Sequence, residues 1–161
     1  MANSSAVGFG LRPIRKVGQN DNNNGLTEYD VAASSAAMYQ NDGVEAQDTG
    51  KIAIGAEGDT LIGSLNGVFF TDATTNKPTF ANNLAASNTA TDIVAFVNDD
   101  PYQMFEIRSD NTGASDASDV FNNADINVTA GDATTNGISK STLKDSTLTG
   151  SGTGSAQLRV L

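Results

Sequence analysis

The residue types that most often carry out chemistry in proteins are scarce in this chain. It contains no histidine and no cysteine, so the commonest general bases, nucleophile pairs and zinc ligands are absent. Carboxylates remain, and they are densest at two pairs, Asp99 with Asp100 and Asp116 with Asp119. The first pair stands in an Asn-Asp-Asp-Pro sequence, which is typical of a turn. We therefore expect no catalytic residue and no enzyme activity.

A calcium site is the main alternative for the acidic residues. Residues 110–119 offer several oxygen ligands on one loop, as calcium requires. The loop has no Asp at the third or fifth position of the helix-loop-helix calcium pattern, and it lacks the closing Glu. We therefore predict no metal site and no cofactor.

The elements that would position such residues are predicted to be β-strands. The 161 residues correspond to one domain, long enough to bury a core without disulfides. Asn, Asp, Thr, Ser and Gly are abundant, and they favour turns and extended structure over helix interiors. No long stretch shows the 3.6-residue period of an amphipathic helix. We expect an all-β fold, a small β-barrel or β-sandwich of short antiparallel strands.

Several segments carry the strand signal. The clearest are residues 26–31, 51–54, 60–71, 93–97 and 104–108. Glycines within residues 60–71 predict bulges or sharp bends. The continuous apolar run at 93–97 predicts a strand buried on both faces, and the alternation over 104–108 predicts a half-buried strand.

The phenylalanines fall largely within these strand segments. We expect most of the four phenylalanines in these segments to lie in the core: Phe69, Phe70, Phe96 and Phe105. The sequence therefore does not favour an exposed aromatic platform for sugar or nucleic acid.

The first 25 residues differ from the remainder. Residues 8–17 have unevenly spaced apolar positions, and Pro13 keeps Arg12 extended. A Gly- and Asn-rich loop follows. We predict an extended N-terminal arm and flexible loop at residues 1–25, and a single β-rich domain at residues 26–161. The sequence leaves open the alternative that the arm folds back as an edge strand of its own barrel.

The charge of the chain is unevenly placed. The net charge is −10, yet the first twenty residues hold three basic residues and no acid. The acidic remainder disfavours nucleic acid and anionic membranes, and no apolar run approaches the ~18 residues of a membrane span. No secretory signal is evident, so we expect synthesis in a cytosol. The basic arm is a candidate contact for an acidic partner, although three basic residues in a polar segment also occur without function.

Motifs along most of the chain resemble those of small structural proteins from marine and other tailed phages. The opening motif is Gly-Leu-Arg-Pro-Ile-Arg at residues 10–15, followed by Leu-Thr-Glu-Tyr at 26–29. The central motifs are Gly-Val-Phe-Phe-Thr-Asp at 67–72, Lys-Pro at 77–78 and Asp-Ile-Val-Ala-Phe-Val-Asn-Asp-Asp-Pro at 92–101. The closing motif is Ala-Gln-Leu-Arg-Val-Leu at 156–161. Residues 109–140 match least.

The resemblance implies a decoration, or cement, protein on the outside of a phage head. The implied partner is the major capsid protein of the same virion, with self-association of neighbouring copies on the shell. The implied location is the head surface, after synthesis in the cytoplasm of a bacterial host. The arm is expected to supply the capsid contacts, with apolar side chains and arginines that pair with acids on the shell: Phe9, Leu11, Arg12, Pro13, Ile14 and Arg15.

Two other classes of function remain as alternatives. A receptor- or carbohydrate-binding module on a tail or fibre would share the all-β, Asn- and Thr-rich character, and it should show exposed aromatic residues or a calcium-binding loop. A glycosidase with two Asp residues would need a carboxylate pair flanked by aromatic subsites, and the sequence shows none.

Overall fold

The computed structural model describes residues 7–18, 25–32, 35–110, 116–148 and 156–161. Regular structure there is β, apart from the short 3₁₀ helices Ala117–Asp119 and Asp145–Thr147. The strands are, in chain order, β1 Arg12–Lys16, β2 Thr27–Asp30, β3 Met38–Tyr39, β4 Gly43–Ala46, β5 Ile52–Ile54, β6 Leu61–Thr71, β7 Pro78–Ala81, β8 Asn83–Leu84, β9 Val94–Asn98, β10 Gln103–Glu106, β11 Asn123–Ala124, β12 Ile126–Asn127, β13 Thr142–Leu143 and β14 Leu158–Arg159. Among these residues, no helix is both long and apolar enough to cross a membrane.

A six-stranded antiparallel sheet forms the centre of the molecule. Its order is β2-β9-β6-β4-β5, and β7 pairs with the second half of β6. The other described strands form four two-stranded sheets: β1–β10, β3–β8, β11–β14 and β12–β13. The all-β prediction is confirmed, and of the two predicted architectures the sandwich-like one fits, since the described strands do not close into a barrel.

The predicted irregularities within residues 60–71 are β-bulges: one lies at Ile62, where the register with β4 shifts, and the other lies at Asn66. Residues 61–71 form the single long strand β6, and its register with β9 shifts between Leu65 and Gly67. Asn66 is the extra residue and is exposed. Such a bulge bends the strand locally, which allows β6 to pair with β4 at one end and with β7 at the other.

The core lies on one face of the large sheet. Met38 and Leu84 face each other across the β3–β8 pair, and both are fully buried. They belong to the same buried cluster as Leu65, Val68 and Val97 of the large sheet, so the β3–β8 pair covers this face. Fully burying a side chain of this kind stabilises the fold by about 1.5–3 kcal/mol.

The opposite face of the sheet carries two of the phenylalanines that the sequence assigned to the core. Ala95 and Val97 of β9 are buried, and because side chains alternate along a strand, Phe96 lies on the other face. Phe96 and Phe69 are only half-buried there. The prediction that β9 is buried on both faces is therefore wrong, because no second layer of described residues covers this face completely.

Residues 7–18 are not a detached arm. Strand β1 pairs antiparallel with β10, with Arg12 opposite Glu106 and Lys16 opposite Gln103. This corrects the predicted separation of arm and body and agrees with the alternative that the arm folds back as an edge strand. The physical reason is that the main-chain groups of an extended segment need hydrogen-bond partners, and β10 supplies them. Residues 19–24 of the predicted loop lie outside the described residues.

Candidate functional site

The residues predicted to contact a partner lie on or directly before β1. The register of β1 against β10 shifts between Pro13 and Arg15, so Ile14 occupies a bulge. Bulges commonly turn a side chain away from the regular alternation of a strand. Ile14 is 44% exposed, whereas Pro13 is half-buried. The bulge therefore presents an apolar side chain at the surface.

Leu11 is placed differently from the prediction. Its side chain is 2% exposed, and its backbone N–H donates to the carbonyl oxygen of Asn41 at 2.8 Å. It cannot contact a capsid in this fold, so its assignment as a capsid contact is wrong. Because the arm packs against the body, its apolar side chain at Leu11 is buried there and is not accessible to a partner.

Arg12 has its partners within the chain. Its guanidinium forms an ion pair with Glu106 on the opposing strand and lies over the ring of Phe9, 5.1 Å from the centroid. Both charged side chains are about half-exposed, so this pair contributes at most about 1 kcal/mol to stability. A capsid carboxylate would have to compete with Glu106 for Arg12.

Arg15 is the basic residue of β1 best placed to meet a partner. It is exposed, and no ion pair of its side chain occurs among the described residues. Lys16, by contrast, pairs with Asp100 at 2.6 Å. The hydrogen bond from Lys16 is the main cause that holds the pKa of Asp100 below its usual value.

Two further exposed side chains complete this surface, and neither was predicted as a contact. Val17 is 55% exposed, and Tyr102 is 66% exposed. The backbone N–H of Val17 donates to the carbonyl oxygen of Tyr102 at 2.8 Å, so the end of β1 and the turn before β10 are held together. We call Ile14, Arg15, Val17 and Tyr102 the β1 patch.

A groove of about 780 Å³ runs beside the β1 patch. Its walls come from the two strands β1 and β10, from the start of β6 and from the last residues of the chain. Its apolar lining includes Ile14, Val17, Leu61, Tyr102 and Leu161. An exposed apolar groove of this kind can receive an apolar side chain or an extended segment of another protein.

The acidic positions singled out in the sequence have structural partners. Asp99 accepts hydrogen bonds from the hydroxyls of Thr27 and Tyr29, and the bond to Asp99 is the first cause that raises the pKa of Tyr29. Asp100 accepts from the N–H of Tyr102 at 2.8 Å, as a turn aspartate does. These contacts join β2, β9 and the turn before β10.

Asp116 and Asp119 cap a short helix. Asp116 accepts a bond from the N–H of Ser118, and Asp119 accepts one from the N–H of Asp116, so the two form a capping box around the 3₁₀ helix. Within the ranges described above, no group of three or more acidic residues could hold a metal ion. Residues 111–115 of the proposed calcium loop lie outside those ranges.

Only weak signals in the sequence pointed to the β1 patch. Tyr102 follows Pro101 in a predicted turn, where an aromatic side chain has few neighbours to cover it. Val17 is the last apolar residue of the predicted extended arm. Their association depends on the β1–β10 pairing, which joins segments about ninety residues apart.

Comparison with known proteins yields no match: no family model, no curated protein and no solved structure shows significant similarity to this chain.

Proposed function

We propose that this chain is a decoration protein of a tailed-phage head, which binds the outside of the shell and stabilises it. The observation that carries the proposal is the β1 patch: three exposed apolar side chains and an exposed arginine beside an apolar groove, on a chain of net charge −10. The motif resemblance along the chain supports the same assignment. The partner is the major capsid protein of the particle.

The patch suits binding to an assembled shell. A protein that binds only the assembled state shifts the equilibrium toward that state by mass action. Many equivalent sites on one shell make a modest affinity per contact sufficient, above all if neighbouring copies also touch one another. Catalytic groups are not needed for this role.

The anchoring of β1 changes the expected binding mechanism. Because β1 is already paired with β10 and tied to the body through Asn41 and Ser141, the patch is ordered before it meets a partner. Binding then loses less conformational entropy than the ordering of a free arm would cost. We therefore propose docking of a rigid patch rather than strand addition by a flexible arm.

The apolar part of the patch is tested by Ile14→Asp. Purified protein is mixed with expanded heads, and the bound fraction is measured by sedimentation. We expect the variant to lose at least about tenfold in affinity, because a charge replaces an apolar contact that binding would bury. Val120→Asp is the matched control, since Val120 is 41% exposed and lies outside the groove lining. Equal binding by both variants would contradict the proposed contact surface.

The charged part of the patch is tested by Arg15→Glu. We expect weaker binding and a smaller dependence of affinity on salt, because an exposed cation no longer faces the acids of the shell. Lys77→Glu makes the same change in net charge at an exposed position away from β1. Equal losses in both variants would mean that net charge, rather than the β1 patch, governs binding.

A further inference from the structure

Three phenylalanine rings form a continuous row on the outer face of the large sheet. Phe80 of β7 is paired with Phe69 of β6, and their ring centroids are 4.7 Å apart. Phe96 of β9 follows, with its centroid 6.5 Å from that of Phe80. These separations lie within the range of favourable aromatic contacts. We call this row the phenylalanine face.

The phenylalanine face is open to solvent. Phe80 is 75% exposed, the highest value among the large hydrophobic residues identified as exposed. Phe69 and Phe96 are half-buried beneath it, so most of the exposed ring surface belongs to Phe80. A cluster of exposed aromatic side chains on a sheet marks an interaction surface more often than isolated exposed apolar residues do.

The edge strand beside this face is acidic. On β2, Glu28 lies opposite Phe96 and Asp30 lies opposite Val94, so both carboxylates share a face of the sheet with the rings. Both are exposed. Within the described part of the chain, neither takes part in an ion pair. The face therefore combines aromatic surface with two available negative charges.

This combination argues against two occupants. A symmetric contact with a second copy would bring Glu28 and Asp30 of both copies into one interface, and like charges repel there. A flat sugar stacks best on a flat aromatic platform; Phe80 and Phe96 are near parallel, at 21°, but Phe69 is tilted by 49° to Phe80, so the three rings do not form one plane. A cationic protein segment meets neither obstacle.

We infer that the phenylalanine face binds an extended segment of a partner protein that carries arginine or lysine together with apolar side chains. The apolar side chains pack on the rings, and a guanidinium or ammonium lies over a ring face or pairs with Glu28 and Asp30. This surface is separate from the β1 patch, with which it shares no residue. The inference does not depend on the decoration role.

The test is a titration of the full isotope-labelled chain, followed by nuclear magnetic resonance. The probe is a synthetic peptide of about eight residues that alternates arginine and leucine, and the control peptide alternates glutamate and leucine. We expect the first peptide to shift the signals of Phe69, Phe80, Phe96, Glu28 and Asp30. Absence of shifts at these residues, or equal shifts with the glutamate peptide, would overturn the inference.

Variants separate the aromatic and ionic contributions. We expect Phe80→Ala to weaken binding of the arginine peptide about fivefold or more, as loss of an exposed ring anchor would. Glu28→Gln with Asp30→Asn should weaken binding and flatten its salt dependence. Phe121→Ala is the control, because Phe121 is 54% exposed and its ring lies against Arg159 of β14, in another part of the fold. Equal weakening by Phe121→Ala would overturn the assignment to this face.

Two further outcomes would identify a different occupant and overturn the inference. Self-association in analytical ultracentrifugation that Phe80→Ala abolishes would assign the face to a second copy. Shifts at the three rings with a soluble oligosaccharide, without a response to the arginine peptide, would assign it to sugar. Unchanged melting temperatures of the variants would show that each of these results reports on binding rather than on folding.

Discussion

Gly10 lies so close to Asn41 that a Cβ atom on Gly10 would stand 2.2 Å from the Asn41 carbonyl oxygen. That oxygen accepts the backbone N–H of Leu11 at 2.8 Å, and the side-chain amide of Asn41 donates to the carbonyl oxygen of Phe9 at 3.1 Å. The segment before β1 is therefore fixed against the body through Asn41. Gly10 also has a φ of 70°, in the left-handed region that favours glycine.

We predict that Gly10→Ala destabilises the protein by about 2 kcal/mol or more, because it adds backbone strain and a clash with a main-chain oxygen. Urea denaturation measures the change in the free energy of unfolding. Gly18→Ala is a matched control, since Gly18 has a φ of 76° with no atom within 4 Å of the added Cβ. That control should cost only about 1 kcal/mol. Equal losses would contradict the close fit of Gly10 against Asn41.

A second prediction follows from the burial of Leu11. Leu11→Ala should lower the free energy of unfolding by about 2–5 kcal/mol, because it leaves a cavity where the side chain is 2% exposed. Ile14→Ala, three residues away on an exposed bulge, should change stability by about 0.5 kcal/mol or less. Chemical denaturation of both variants checks the contrast. If Leu11→Ala left the free energy of unfolding unchanged, the result would contradict the burial of Leu11 and support the hypothesis of a free arm.

The sequence predicted the individual strands better than their partners. Gly67 next to Asn66 indicated a bulge, and the structure has one there. The alternation around Met104 indicated a strand, but alternation does not specify which strand pairs with it. The pairing of β1 with β10 depends on contacts between residues distant in sequence, so local patterns could not reveal it.

The phenylalanine face could have been predicted in part. Val68 is buried and Phe70 packs against the core, so strict alternation places Phe69 on the other side of β6. The same argument applies to Phe96 between Ala95 and Val97. The exposure of these rings could not be predicted from the sequence, because it depends on whether another layer of the structure covers the sheet.

The third prediction concerns how the stability of the fold depends on pH, and it follows from a buried carboxyl group. Asp42 is 1% exposed, and burial raises its pKa to about 6, in spite of hydrogen bonds from Ser139 and from the N–H of Tyr39. Between the ordinary value of 3.8 and about 6, the folded state holds a proton that the unfolded state has released. Stability therefore falls as pH rises through this window, by at most about 3 kcal/mol from this group.

Other aspartates act outside that window. Hydrogen bonds from Thr134 and Thr135 lower the pKa of Asp132, and bonds from Thr75 lower the pKa of Asp72. A lowered pKa contributes stability that is lost only as pH falls below the ordinary aspartate value. Measurements between about pH 5 and pH 7 thus isolate the effect of Asp42 from these two groups.

Asp42→Asn should flatten the profile of unfolding free energy between about pH 5 and pH 7, because the side chain can no longer ionise. The control Asp48→Asn removes an exposed carboxylate and should leave the slope unchanged. Thermal or urea unfolding across the pH range measures both. A wild-type protein that becomes steadily more stable from pH 5 to pH 7 would contradict the assignment to Asp42.

The proposed decoration role is tested most directly by counting the copies of purified wild-type chain that co-sediment with expanded heads of the phage proposed to encode it. We predict saturable binding at on the order of hundreds of copies per shell, because a lattice offers its site many times over. Absence of binding, or saturation at about a dozen copies or fewer, would contradict the decoration role and favour a position on the tail or a fibre.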